Sequence, residues 1–208
     1  MPNPTPHPDD DRAERFGEQQ ALAWLRDYAA GRQVGARQLV EHYLPRLHRL
    51  AWRLLDDAAE AEDVCQEAFM KLWQQAPNWR AEARIGTWLH QVTLNAARDR
   101  LRRRRGGGTS EVEVADLVDH GPQSDPERLA AESESQRWLA QAIEQLPPRQ
   151  REALLLCHDQ QLSQKEAAEV MEIDVGALES LLSRARQALR QAAQAREGEH
   201  ERLVKPTR

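Results

Sequence analysis

Cysteine is scarce, phenylalanine and tyrosine number two each, and no long apolar run occurs. The two cysteines, Cys65 and Cys157, lie far apart, so they build no disulfide framework and fit a reducing compartment. Without histidines clustered around them they make no zinc site either. The longest apolar stretches fall well short of a membrane span, which argues against membrane contact. The opening "MPNPTPHPDDD" lacks the basic-then-apolar order of a secretory signal; its spaced prolines and aspartates read as a disordered tail over residues 1–17. Strand-like alternations of Val, Ile, Thr and Tyr are missing too. Also missing are the P-loop, GxGxxG, HExxH and GxSxG motifs, so no enzyme class, cofactor or metal is called for.

What is present is helix-forming: Ala, Leu, Glu, Gln and Arg dominate a chain of 208 residues. Apolar side chains make up 40% and charged ones 30%, which suits small helical domains with thin cores. Leu39, Tyr43, Leu47, Leu50 and Leu54 recur at spacings of three and four, the second of two helices across residues 18–56, with a kink or break expected at Pro45. A third helix is predicted from about Ala58 to Gln75. Its apolar side is Ala61, Val64, Cys65, Ala68 and Leu72; Asp63, Gln66, Glu67, Met70 and Gln74 lie opposite. A fourth runs from about Thr87 to Arg104, stopped by the glycines at 106–108.

Charge is unevenly placed. Residues 98–105, "RDRLRRRR", hold six arginines, and residues 79–105 have a local net of +6 in a chain whose formal net charge is −5. Guanidinium groups pair well with phosphate oxygens, and Trp79 and Trp88 lie just upstream, interleaved with Arg80, Arg84, Thr87 and Asn95. That mixture suits single-stranded or partly melted nucleic acid, whose bases stack on exposed rings. Residues 106–127 contain six acidic side chains and no lysine or arginine, the composition of a flexible acidic linker.

A second helical unit is read over 128–193, followed by a charged tail over 194–208. "LPPRQ" at 146–150 stops one helix and starts another. Ser163 and Glu166 fit a capping box, and Asp174 suits the N-cap of the next helix. On that last helix Val175, Leu178, Leu182, Ala185 and Leu189 should pack inward. Gly176, Ser180, Ser183, Gln187 and Arg190 should face outward, flanked by Glu179, Arg184 and Arg186. Two helices joined by a tight turn form a helix-turn-helix, whose second helix can present such a face to base edges. An ordinary solvated face satisfies the same spacing. The fold class is therefore all-α: two small helical domains joined by an acidic linker.

The stretch "AEAEDVCQEAFMKLWQQAPNWRAEARIGTWLHQVTLNAARDRLRRRR" resembles region 2 of extracytoplasmic-function (ECF) sigma factors. "LPPRQREALLLCHDQQLSQKEAAEVMEIDVGALESLLSRARQALR" resembles their region 4. The resemblance covers about residues 18–192, with both blocks in the family's order. It implies a cytoplasmic subunit that directs core RNA polymerase to promoter DNA, is held in check by an anti-sigma factor, and has no catalysis or cofactor of its own. It further implies that Asp63, Gln66, Glu67 and Met70 belong to a polymerase-docking face. By the same resemblance Trp79, Arg80, Arg84, Thr87, Trp88, His90, Gln91, Asn95 and Arg98 contact and melt the minus-ten element. Gln164, Lys165, Glu179, Ser180, Ser183 and Arg184 are then the minus-thirty-five contacts. Glu179 and Leu181 stand where the family pattern "GTVKSRLxRAR" has basic residues, and Ile85 and Gly86 where an aromatic and a basic residue are common. A stand-alone helix-turn-helix regulator, binding duplex DNA without polymerase, is the alternative that the residues leave open.

Overall fold

A computed structural model describes residues 8–80, 84–104 and 134–204. They contain eight α-helices and no strand. The chain divides into two units, Met1–Gly107 and Gly108–Arg208. The acidic segment 106–127, read from the sequence as a linker, lies outside the described residues, as does the glycine stop at 106–108.

The first unit is a bundle of α1 (Pro8–Ala29), α2 (Gln33–Leu55), α3 (Ala58–Gln75) and α4 (Ile85–Arg104), with a single 3₁₀ turn, Ala76–Asn78, after α3. Helix α2 is its centre, packing against all three others. It buries Leu39, Tyr43, Leu47, Leu50 and Leu54, the stripe that the three-and-four spacing marks out, together with Ala51 and Leu55. Each fully buried leucine contributes about 2 kcal/mol of transfer free energy. The expected break at Pro45 does not occur: α2 is one helix. Pro45 is exposed, and so is Glu41, whose carbonyl loses its donor, so water can take the unmade bond while the buried stripe holds the helix together.

Two corners set the bundle. At the first, Gly31 takes a φ of +81° and the chain reverses so closely that a Cβ on Gly35 would stand 2.1 Å from the Trp24 carbonyl oxygen. Only glycine fits there. At the second, Asp56 ends α2 in the left-handed region and Asp57 caps α3, its Oδ1 accepting from the Glu60 N–H at 2.9 Å. The start of α4 is capped from outside its own segment: Glu18 Oε1 accepts the Ile85 N–H at 2.8 Å.

Helix α1 begins at Pro8, ten residues before the boundary drawn at residue 18. Proline preorganises a first helical turn, and a polar, charged sequence is compatible with helix. Spaced prolines and charge read as disorder therefore also serve a helix start; residues 1–7 lie outside the described residues.

The second unit comprises α5 (Glu134–Glu144), α6 (Pro148–Leu154), α7 (Gln164–Met171) and α8 (Val175–Val204). One π turn, Leu155–Asp159, widens the end of α6, with the Gln160 N–H donating to the Leu155 carbonyl at 2.9 Å. Helices α7 and α8 pair as a helix-turn-helix. Ser163 and Glu166 close the expected capping box, with Ser163 N–H to Glu166 Oε2 at 3.0 Å and Glu166 N–H to Ser163 Oγ at 3.3 Å. Glu172 ends α7 at a φ of 57°, and Asp174 caps α8 through the Ala177 N–H at 2.7 Å. Leu178, Leu182 and Ala185 are buried. Val175, expected to pack with them, is 41% exposed, because it opens the helix beside its cap, before the first full turn reaches the core. The expected tail from residue 194 is instead α8 continuing to Val204. Residues 194–204 carry three glutamates and two arginines, residues that form helix as readily as they solvate.

Candidate functional site

Helix α3 splits into two faces. Ala61, Val64, Cys65, Ala68, Phe69 and Leu72 are buried against the bundle. Asp63, Gln66 and Met70 are exposed on the other side, Met70 at 54%, and Glu67 is half-buried between them. A thioether left this open amid polar groups is flexible and polarizable, with the freedom to adapt its shape. Glu67 is held as a carboxylate: Lys71 Nζ lies 2.7 Å from Oε1 and an Arg100 guanidinium nitrogen lies 3.2 Å from Oε2. Hydrogen bonds from Lys71 first, and then Arg100, pull its pKa below the ordinary carboxylate value against the opposing effect of burial.

The arginine run is not a uniform cationic brush. Arg100 turns back to Glu67, and Arg102 pairs with Asp99 at 2.9 Å. Arg104 reaches the Leu55 carbonyl at 2.9 Å, the Asp57 carboxylate at 3.1 Å and the Glu60 carboxylate at 2.9 Å. Arg100 and Arg104 thus bind α4 to its neighbours. The acidic side chains that receive them come from α3 and from the corner before it, up to 47 residues away in sequence, which is why the spacing gave no sign of them.

Upstream, the Trp79 and Trp88 rings meet edge to face, with centroids 5.5 Å apart and planes at 86°. Arg80 and Arg84 are exposed on either side of residues 81–83, which lie outside the described residues. Along α4, Thr87, Gln91, Asn95 and Arg98 follow one another at spacings of four, four and three, all half-buried along one stripe beside Trp88. Arg98 donates to Asn95 Oδ1 at 3.2 Å. His90 does not share that stripe. It is 3% exposed, in phase with buried Leu89, Thr93, Leu94 and Ala97, and its Nδ1–H donates to the Gly86 carbonyl at 2.7 Å. The helical phase turns the ring inward, away from the stripe on which the resemblance places it. Gly86 also leaves room for Tyr43, whose ring would lie 3.2 Å from an added Cβ, so the departure from the family pattern at 86 has a packing reason.

In the second unit Glu179, Ser180, Ser183 and Arg184 are exposed on α8, on the side away from Leu178, Leu182 and Ala185. Ser180 Oγ donates back to the Gly176 carbonyl at 3.0 Å. Lys165 is exposed and Gln164 half-buried in the first turn of α7. A guanidinium nitrogen of Arg186 lies 3.5 Å from His158 Nε2; burial first, and then the nearby Arg186 charge, lowers that histidine's pKa. Cys65 is buried, and burial pushes its thiol up to about 12; Cys157 is pushed up to about 11. Neither is poised as a thiolate nucleophile.

Residues 39–106 match the family model for sigma-70 region 2, and residues 136–189 match that for sigma-70 region 4. The RNA polymerase sigma-H factor of Pseudomonas aeruginosa is 36% identical, over 75% of this chain and 84% of that protein. The chain belongs to the ECF sigma-factor family. The ECF RNA polymerase sigma-E factor of Escherichia coli is 30% identical, over 76% of this sigma factor and 86% of its own length. Among solved structures, the sigma factor RpoE of Bartonella quintana, in complex with the anti-sigma factor NepR, shares the fold. Its TM-score is 0.57 at 24% identity, covering 76% of this chain and 96% of that one. As an ECF sigma factor the chain is a promoter-specificity subunit of RNA polymerase and acts in transcription initiation. No helix among the described residues is long and apolar enough to cross a membrane.

Two features of the site had no reading in the sequence. Arg100 was one arginine among six, and only the packing of α4 on α3 singles it out. Lys71 was visible in principle, standing four residues after Glu67, the usual spacing for a helical ion pair.

Proposed function

We propose that this sigma factor divides promoter recognition between its two units. Asp63, Gln66, Glu67 and Met70 dock on core polymerase. Trp79, Arg80 and Arg84 with Thr87, Trp88, Gln91, Asn95 and Arg98 capture the melted minus-ten strand. Glu179, Ser180, Ser183 and Arg184, with Gln164 and Lys165 beside them, engage the minus-thirty-five duplex. Residues 18–105 and 128–193 are the two working domains, and the acidic segment 106–127 tethers them. Catalysis stays with the polymerase, and the sigma factor works in the cytoplasm where that enzyme acts.

The observation that carries this reading is the division of α3, whose apolar side is buried while Met70 and its polar neighbours stay open. The physical logic supports it. Melting a promoter costs stacking and pairing energy, and a displaced base needs a surface to receive it. The helix-turn-helix carries six basic and seven acidic side chains over residues 146–192, too balanced for strong phosphate binding alone. Tethering two weak binders, and lending them the polymerase as scaffold, raises their effective concentration at one promoter. A protein of the same fold is held in complex with the anti-sigma factor NepR, which supports control of this chain by an anti-sigma factor.

The test is transcription in vitro from a mapped start site, with core polymerase and with or without the sigma factor. Start-site-specific transcripts that require both components are expected. Tight, polymerase-independent binding to a palindromic duplex would overturn the reading in favour of a stand-alone regulator.

A further inference from the structure

Glu67 is held from two sides by cations of different character. Lys71 stands one turn along the same helix, its side chain 49% exposed, and pairs of that kind are weak and salt-sensitive. Arg100 reaches across from α4 with its side chain only 18% exposed, and a contact to the Ala96 carbonyl at 3.5 Å seats the guanidinium over its own helix. One carboxylate oxygen, Oε2, is thus pinned by a well-packed arginine. The other, Oε1, faces an open lysine that a partner's donor can displace. A long side chain on a docking surface loses rotamer freedom when it binds, and fixing it beforehand removes part of that cost.

We propose that Arg100 is a positioning residue for polymerase docking: it fixes the Glu67 carboxylate on the exposed face of α3, with one oxygen held and one presented. The inference rests on the reading that Glu67 docks on core polymerase. It assigns this member of the arginine run to the protein interface, with Arg98 left to the DNA stripe. Helix α4 then connects the two surfaces, because Arg98 and Arg100 lie two residues apart and serve different partners.

The test is a mutant cycle read as affinity of the full-length sigma factor for core RNA polymerase, by fluorescence anisotropy, with circular dichroism as the check on fold. Glu67→Gln should weaken binding several-fold. Arg100→Ala should weaken it roughly fivefold in the parent and by less than about twofold in the Glu67→Gln background, since the two act as one unit. Arg100→Gln, which keeps length without charge, is measured beside it so that loss of fold in the alanine variant leaves the test intact. Arg100→Lys should restore most of the affinity. Lys71→Ala should change it by less than about twofold. If Glu67→Gln weakens binding and both uncharged Arg100 variants leave it unchanged, the positioning role is overturned while the docking reading stands. Equal losses from Arg100 variants in both backgrounds would overturn it too, in favour of a direct contact by Arg100. If Glu67→Gln itself changes nothing, the docking reading fails and takes this inference with it.

Discussion

Arg104, in the last turn of α4, lies 3.1 Å from the carboxylate of Asp57, the residue that caps α3. The same guanidinium group holds Glu60 and the Leu55 carbonyl, so one side chain closes the corner between α2 and α3 from a third helix. The guanidinium fork suits this task because its donors point in fixed directions. Both partners are about one-third exposed, so solvent discounts the ion pairs, and the bond to the buried-corner carbonyl is the part that counts most.

Arg104→Ala is therefore expected to lower the stability of the first unit by about 1 kcal/mol, seen as a lower urea midpoint. Arg103→Ala, one residue away and exposed, is the control and should stay within about 0.5 kcal/mol of the parent. Equal effects from the two would mean that Arg104 is a surface charge like its neighbour.

Gly35→Ala should cost more. The added methyl would meet the Trp24 carbonyl oxygen and the Tyr28 backbone nitrogen, and backbone atoms of a packed helix cannot step aside cheaply. A loss of about 2–3 kcal/mol is expected from chemical unfolding. Gly17→Ala, where nothing stands within 4 Å of the new atom and the glycine lies inside a helix, should be neutral or slightly stabilising. A harmless Gly35→Ala would mean that α1 and α2 are not in close contact at this point.

Asp63→Ala combined with Glu67→Ala should weaken binding to core polymerase by about tenfold or more, the loss expected for central interface contacts, while the urea midpoint stays near that of the parent. Neither side chain belongs to the buried side of α3, and the Glu67–Arg100 pair that is lost is partly exposed, so its removal costs about 1 kcal/mol at most. Undiminished capture by polymerase in a pull-down would remove the assignment of this face.

What could be read from the sequence was the part written in short-range spacing. The capping box of Ser163 and Glu166, the Asp174 cap and the two faces of α3 all depend on residues within a few turns of one another, and the structure has them as expected. The helical stripe on α2 was legible for the same reason. His90 was grouped with the minus-ten residues on family position alone, whereas its spacing from Leu94 and Ala97 puts its ring with the buried set. Partners far apart in sequence stayed hidden: Glu18 capping Ile85 across 67 residues, Arg100 on Glu67 across 33, Arg104 on Asp57 across 47. Such pairs exist only once the helices have packed, and no local pattern announces which of six arginines will find a carboxylate. Helix ends were the other weak point, at Pro8 and beyond residue 194, where side chains that solvate well also propagate helix well.

A last expectation concerns alkaline pH. Burial, aided by the nearby Glu62 charge, pushes the Cys65 thiol up to about 12, and burial first, with Glu18 adding to it, raises the Tyr43 phenol as well. In the unfolded chain these groups titrate near 9.0 and 10.0. Below about pH 8 both are protonated in either state and neither affects the balance. As pH rises beyond that, the unfolded thiol and then the unfolded phenol lose protons while the folded ones keep theirs. The folded state then binds more protons, so stability must fall as pH rises. The urea midpoint of the first unit, followed by tryptophan fluorescence, should therefore drop between about pH 8 and about pH 10.5, and Cys65→Ala should drop less over the same interval. Five of the six tryptophans lie in this unit, so the signal reports on it. A parent whose midpoint is flat across that interval, or a Cys65→Ala variant with an unchanged slope, would show that the thiol ionises as freely in the bundle as in water.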